Sequence, residues 1–261
     1  MGRAEFEAYY RAVYRDRWDS LYRALLDDHA PYSYTGGLVK PYVLDRASVL
    51  GAETLRLPES GTVLDACAAP GGKSLVIASS MTAETELLSN EYSGQRRRRL
   101  SQVLDEYLPG PLRARVRVSG FDAAREGGRK TEQGRFAAIL LDAPCSSERH
   151  VLIQAASSKT GALDTWSPAR PRFLGKRQWA LLSSAFLLLK DGASLVYATC
   201  ALSPEENDGP VSRLLEKYGD AVILDEPDFE EGEKTLYGRI MLPDAGGMGP
   251  LYVARFRKRP R

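Results

Sequence analysis

No apolar run of about 18 residues occurs in this 261-residue chain, which excludes a membrane-spanning helix. The opening residues, MGRAEFEAYYRAVYRDRW, mix acids with bases and have no apolar stretch, so a secretory signal is not expected. Glu5 and Phe6 stand where an N-myristoylation sequence needs Ser or Thr, so a lipid anchor is not expected either. Cysteine is scarce: three residues, an odd number, argue against a disulfide framework and for a reducing, cytoplasmic setting. No Cys-x-x-Cys pair is present and only His150 lies near a cysteine, so no metal site is expected. Neither charge sign dominates: 36 Lys and Arg against 34 Asp and Glu leave a net charge of +2, which neither requires nor excludes nucleic acid. Repeats and low-complexity linkers are missing too, and the length suits one large α/β domain with a small extension.

The basic residues are unevenly spread. They gather at Arg96–Arg99, at Arg113, Arg115 and Arg117, at Arg170, Arg172, Lys176 and Arg177, and at Arg255, Arg257, Lys258, Arg259 and Arg261. Any one cluster reads equally well as a solvated face or sheet edge, but several in one domain point to a polyanionic partner. Residues 4–27 place Tyr10, Val13, Tyr14, Trp18, Leu21, Tyr22 and Leu25 at helical spacing, which predicts an amphipathic helix or helix pair packed on the core.

From residue 61 strands alternate with helices, the pattern of an open, doubly wound α/β domain with a mostly parallel, seven-stranded sheet. Strands are predicted over 62–66, 85–90, 114–119, 136–142, 193–199, 221–226 and 251–257. Helices are predicted over Lys73–Met81, Gly94–Tyr107, Lys176–Leu189 and Glu205–Tyr218. The polar segment 151–175 reads as a long loop in contact with substrate.

DACAAPGGKS, residues 65–74, ends like a phosphate loop, but that motif needs a glycine where Cys67 stands, so a nucleotide triphosphate is excluded. The stretch nevertheless turns from a strand into a helix. Other strand ends carry Asn90-Glu91, Phe121-Asp122, Asp142-Ala-Pro-Cys145 and Thr199-Cys200. A row of acids around a glycine turn at the carboxyl edge of such a sheet is the layout of a nucleoside cleft, with the second-strand acid placed for ribose hydroxyls. Cys67, among alanines, reads as packing. Cys145 and Cys200 each open a polar strand-end loop, where a thiol faces the cleft and chemistry is the better reading.

These residues resemble the RNA (cytosine-5) methyltransferases of the RsmB/Nop/Sun group, which use S-adenosylmethionine (SAM). DACAAPGGKS is similar to the family's SAM turn, LLDAPCSS to its fourth motif and YATCALSPEEND to its sixth, over about residues 61–257. The resemblance implies a Rossmann-like SAM-dependent methyltransferase domain over 61–261, with residues 1–60 a helical extension packed on it. It implies that Cys67, Ala68, Ala69, Pro70, Gly71, Gly72 and Lys73 wrap the methionine end of SAM, with glycines 71 and 72 allowing close backbone approach. Glu91 then holds the ribose, Arg96 supports it, Asp122 meets the adenine amino group and Asp142 lies between cofactor and target base. By the same resemblance Cys200 is the nucleophile and Cys145 assists product release. The opening residues and SSERH look like the compact branch that includes the mitochondrial small-subunit rRNA enzyme. Ribosomal RNA is therefore the expected substrate of a cytoplasmic monomer, with a protein partner or ribosomal particle supplying added RNA affinity. A tRNA substrate and a non-catalytic assembly role are the alternatives; a DNA enzyme would need only the first of the two cysteines.

Overall fold

The computed structural model of the chain describes residues 2–28, 30–157, 161 and 163–260. Its first helices are α1 (Arg3–Tyr14) and α2 (Trp18–Leu26), joined by a single 3-10 turn over Arg15–Arg17. A two-stranded antiparallel ribbon, β1 (Tyr32–Tyr34) and β2 (Tyr42–Leu44), leads into α3 (Arg46–Glu53), whose first turn is capped by the Asp45 carboxylate. Then follow β3 (Gly61–Asp65), α4 (Gly72–Ser79), β4 (Thr85–Asn90), α5 (Gly94–Tyr107), the short α6 (Gly110–Arg113), β5 (Val116–Ser119) and the short α7 (Ala123–Glu126). The second half holds β6 (Phe136–Asp142), α8 (Glu148–Ala156), α9 (Ala169–Leu188), β7 (Leu189–Thr199), α10 (Asp208–Tyr218), β8 (Val222–Asp225), β9 (Glu233–Lys234), β10 (Arg239–Met241), α11 (Pro243–Gly246) and β11 (Leu251–Lys258).

Nine of these strands form one sheet in the order β5-β4-β3-β6-β7-β11-β10-β9, with β8 also paired to β11. The five strands from β5 to β7 run parallel and the rest are antiparallel. All seven predicted strands lie in this sheet; the two additional ones, β9 and β10, are too short to leave an alternating pattern. The chain winds outward from β3 to β5 and then returns to β6 on the other side of β3. That reversal opens a crevice at the carboxyl ends of the strands.

Side-chain alternation splits the core into two layers. Leu64, Ile139, Leu141 and Tyr197 face α9, α10 and the aromatic helices α1 and α2. Val63, Leu140, Val196 and Val253 face α3, α4 and α5. Both faces of the central strands are thus covered, which is why β6 reads as a nearly continuous apolar run. The aromatics of 4–27 are core residues: Tyr10 stacks on Trp18 at 5.3 Å, and Phe6 meets Trp166 edge-on at 5.2 Å.

The predicted loop 151–175 is corrected by the structure. Its beginning belongs to α8 and its end to the first turns of α9, which start at Ala169 rather than Lys176. Pro171 lies in the first turn of α9, where a missing N–H costs nothing, although in sequence it reads as a breaker. Residues 158–160 and 162 of the expected substrate loop lie outside the described residues.

Candidate active site

Two thiols meet at the carboxyl edge of the sheet. Cys145 follows β6, Cys200 follows β7, and their Sγ atoms stand 2.7 Å apart, both free and half-buried. Ser147 Oγ reaches both, at 3.5 Å from Cys145 and 3.3 Å from Cys200. To do so Ser147 adopts φ 52°, a left-handed conformation that strains a non-glycine residue. The hydrogen bonds from Cys145 and from Ser147 pull the Cys200 thiol below its ordinary pKa against the opposing effect of burial. Cys145 is pushed up, by its hydrogen bond with Cys200 and then by burial. Of the two, Cys200 is the one poised to ionise.

Buried acids join the two cysteine loops. Ser146 donates its backbone N–H to Glu206 at 2.9 Å, and its hydroxyl lies against both Glu148 and Glu206. Gln178 of α9 donates to Glu206 at 2.8 Å and to the Pro144 carbonyl at 3.0 Å. Tyr10 of α1 donates to Glu148 at 2.5 Å, and Glu148 accepts the Leu202 amide at 3.0 Å. Burial, reinforced by the neighbouring Glu148 charge, pushes Glu206 up to about 7. The register of the two thiols is therefore set by hydrogen bonds reaching as far as the N-terminal helix.

Asp142 ends β6 and pairs with Lys73 Nζ at 2.8 Å; Lys73 also donates to Ser48 of α3 at 3.2 Å. Burial pulls Lys73 down, but Asp142, Cys200 and Asp65 together outweigh it and raise the ammonium above its ordinary pKa. Lys73, expected in the cofactor turn, thus reaches across the cleft to the acid beside the thiols. Asp65 is fully buried and pushed up to about 7 by desolvation, moderated by Ser74, whose hydroxyl donates to it at 2.6 Å.

Cys67, Lys73, Arg96, Asp142, Cys145 and Cys200 line one cavity of 830 Å³. A second cavity, of 370 Å³, is lined by Cys67, Asn90, Glu91, Arg96 and Asp122 and meets the first at Cys67, Arg96 and Pro144. Ala68, Ala69, Pro70 and Gly72 line a smaller recess of 210 Å³ with Lys73 and Asp142. Glu91 is buried, accepts the Ser93 amide at 2.8 Å, and keeps its other oxygen 3.3 Å from Arg96 without a hydrogen bond. Arg96 also donates to the Ala69 carbonyl at 2.8 Å. Asp122 caps α7 through the Ala124 amide at 3.0 Å. Asn90 ties the ends of β3, β4 and β5 together, donating to Ala66 and Phe121 carbonyls and accepting from Phe121 N–H. Burial raises the Cys67 thiol, which agrees with its reading as a packing residue.

The two glycines of the turn are also packed closely against neighbouring elements. Gly71, at φ 125°, lines none of these cavities; a Cβ there would lie 2.9 Å from Val103 of α5. Gly72 packs against Tyr42, 3.0 Å from where its Cβ would be. These glycines let the turn fit between α5 and β2, and Gly72 also lines the recess it shares with Lys73 and Asp142. The reading of the sequence also missed Glu148, Glu206, Ser147 and Ser48, because single polar residues in loops or in the first turns of helices carry no periodic signal of burial.

Residues 52–257 match the model of a family described as 16S rRNA methyltransferase RsmB/F. A mitochondrial tRNA (cytosine(34)-C(5))-methyltransferase from Mus musculus is 34% identical over 234 residues, which are 86% of this chain and 65% of that protein. Ribosomal RNA small subunit methyltransferase F from Aeromonas salmonicida (strain A449) is 37% identical over 229 residues, 83% of this chain and 45% of that protein. The chain thus spans less than two thirds of either relative. The crystal structure of NSun6 from Pyrococcus horikoshii with SFG shares the fold, with a TM-score of 0.70 at 24% identity over 87% of this chain and 54% of that one. The paired strand-end thiols and the match over most of the chain lead to one conclusion: this protein belongs to the RsmB/F family of 16S rRNA methyltransferases.

Proposed function

We propose that this protein transfers a methyl group from SAM to carbon 5 of a cytosine in RNA, with ribosomal RNA as substrate, through a covalent bond between Cys200 and the base. The observation that carries this reading is the meeting of Cys145 and Cys200 beside the Lys73–Asp142 pair on the wall of one cavity. The adjoining cavity suits SAM because one buried carboxylate oxygen of Glu91, ion-paired with Arg96 at 3.3 Å, accepts no hydrogen bond, and ribose hydroxyls would supply one. Asp122 would face the adenine end, and the turn from Cys67 to Lys73, with Arg96 bracing Ala69, the methionine end.

Carbon 5 of cytosine is too electron-poor to take a methyl group directly. Cys200, as thiolate, adds to carbon 6 and shifts electron density onto carbon 5. Asp142 carries the hydrogen bond to ring nitrogen 3, and the proton taken up there comes through the Lys73–Asp142 pair. Bound SAM supplies the electrophilic methyl group that carbon 5 accepts. Cys145 then gives its own proton to solvent and, as thiolate, takes the carbon 5 proton; the electron pair released forms the carbon 5–carbon 6 double bond, Cys200 leaves carbon 6 as thiolate, and nitrogen 3 returns its proton to the Lys73–Asp142 pair, so the ring recovers its aromaticity. The two thiols must act in succession at adjacent carbons, which their contact allows.

Ribosomal RNA is favoured by the family description and by the Aeromonas relative. The mouse relative's name supports a second reading, tRNA. The same proposal takes residues 1–60 as an extension packed on a catalytic domain of residues 61–261, acting as a cytoplasmic monomer aided by a protein partner. No described helix is long and apolar enough to cross a membrane. Incubation with tritiated SAM and total ribosomal RNA should label the RNA, and digestion to nucleosides should place the label in 5-methylcytidine. Binding of SAM with no label passed to RNA would instead favour an assembly role without chemistry.

A further inference from the structure

The four basic clusters of the sequence have different fates in the fold. Arg96 and Arg97 are spent on Ala69, Glu91 and Tyr92 carbonyls and the Glu91 carboxylate. Arg113 and Arg117 pair with Asp105 and Glu86, and Arg115 donates to the Thr85 carbonyl. Arg255, Arg257 and Lys258 pair with Asp228, Asp225 and Asp191, and Arg259 donates to the Asp220 carbonyl. The cluster at the start of α9 differs: among the described residues, Arg170, Arg172, Lys176 and Arg177 have no carboxylate partner. Among the described residues Arg98 and Arg99 also lack one, but neither lines the two cavities of the site.

An aromatic ring lies among those free cations. Phe173 is 60% exposed, with the Arg177 guanidinium 5.9 Å from its ring centre. Arg170, Arg172, Phe173, Lys176 and Arg177 are all exposed, on the half of α9 that faces away from buried Pro171, Gly175 and Gln178. The opposite face is fixed to the active site. Gln178 bonds to Pro144, and a Cβ on Gly175 would lie 2.3 Å from the Glu205 carbonyl, so backbone packs on backbone there. Arg177 itself lines the cofactor cavity that contains Glu91 and Asp122, and that cavity meets the thiol cavity at Cys67, Arg96 and Pro144. The exposed face thus starts at the rim of the site and runs about 10 Å away from it, at roughly 1.5 Å per residue, to Arg170.

Resting on the RNA methyltransferase reading, we propose that this face of α9 binds the single-stranded RNA next to the target cytosine. Arg170, Arg172 and Lys176 meet its phosphates, and Phe173 stacks on one unpaired base. Like charges this close on one helix repel each other, a cost that a polyanion removes. An acidic peptide would also neutralise them, but a ring flanked by cations matches a chain in which flat bases alternate with phosphates.

The test is fluorescence anisotropy with a labelled single-stranded RNA of about 20 nucleotides containing one cytosine, titrated over a range of salt. Arg172→Gln combined with Lys176→Gln should make the slope of log affinity against log salt shallower by about 1.4, the value for two lost phosphate contacts on a single strand. Phe173→Ala should weaken binding by about tenfold or more. In both variants SAM affinity and kcat should hold while KM for RNA rises. Arg117→Gln, which removes an exposed arginine paired with Glu86, should change nothing. Unchanged RNA affinity and salt slope in both α9 variants would overturn the proposal, as would loss of binding to a polyglutamate peptide with RNA binding intact. RNA binding that depends on α9 in a protein that transfers no methyl group would support this surface while refuting the catalytic reading.

Discussion

Asp65→Asn should flatten the dependence of stability on pH. Asp65 is fully buried; one oxygen accepts from Ser74 at 2.6 Å and the other has no hydrogen-bond partner. Desolvation raises its pKa from 3.8 to about 7. In the folded protein it keeps its proton through a range in which the unfolded chain has lost it, so the unfolded state binds fewer protons. Stability contributed by this group is therefore complete below about pH 4 and falls as pH rises, levelling off above about 7. The whole change amounts to about 4 kcal/mol at roughly 1.4 kcal/mol per pH unit, a large share of a typical domain stability of about 5–15 kcal/mol. Glu206, raised to about 7 chiefly by burial, loses stability over the same interval. Between pH 5 and 7 the wild type should then lose stability about twice as steeply as the Asn variant. Urea denaturation of the ligand-free protein at several pH values reads the slope directly. Any constant cost of placing an amide opposite the empty position shifts both ends equally and leaves the slope untouched. Parallel slopes in wild type and variant would refute the reasoning.

Three further substitutions test the parts that hold the site together. Gly71→Ala forces a side chain to φ 125° and sets its Cβ 2.9 Å from Val103, so urea unfolding should show a loss of at least about 3 kcal/mol. Tyr10→Phe removes the 2.5 Å hydrogen bond to buried Glu148 and should cost about 1.5–3 kcal/mol by the same assay. Lys73→Ala leaves Asp142 without its 2.8 Å partner; kcat should fall about a hundredfold or more, whereas calorimetry should find SAM affinity within about threefold of wild type. A large loss of SAM affinity there would return Lys73 to the cofactor turn alone.

Much of the fold could be read from the sequence where burial imposes a pattern. β4 and β6 begin and end where predicted because apolar residues cover both of their faces, and α5 matches because Ser93 caps it before a regular apolar stripe. The strand-end acids and cysteines were legible for a related reason, since a doubly wound sheet gathers whatever follows its parallel strands. Legibility failed where polar side chains take over a structural task. α10 starts at Asp208 rather than Glu205 because Glu206 turns inward to Ser146 and Gln178. α8 starts after Ser147, whose left-handed backbone breaks the usual capping pattern, and it buries only Glu148 and Leu152. Charge counts could not tell paired arginines from free ones, because the partners come from distant parts of the chain; Arg255 and Asp228 are 27 residues apart.

The account depends most on the division of labour between the two thiols. Each should be replaced by alanine, the protein incubated with SAM and its RNA substrate, and the products separated on a denaturing protein gel. Cys200→Ala should neither methylate nor form an adduct, because the thiol whose pKa is pulled down by Cys145 and Ser147 is gone. Cys145→Ala should accumulate a slowly migrating protein–RNA band that disappears on ribonuclease treatment, because Cys200 still adds to the base but the carbon 5 proton has lost its acceptor. A trapped band from Cys200→Ala, with none from Cys145→Ala, would contradict the assignment.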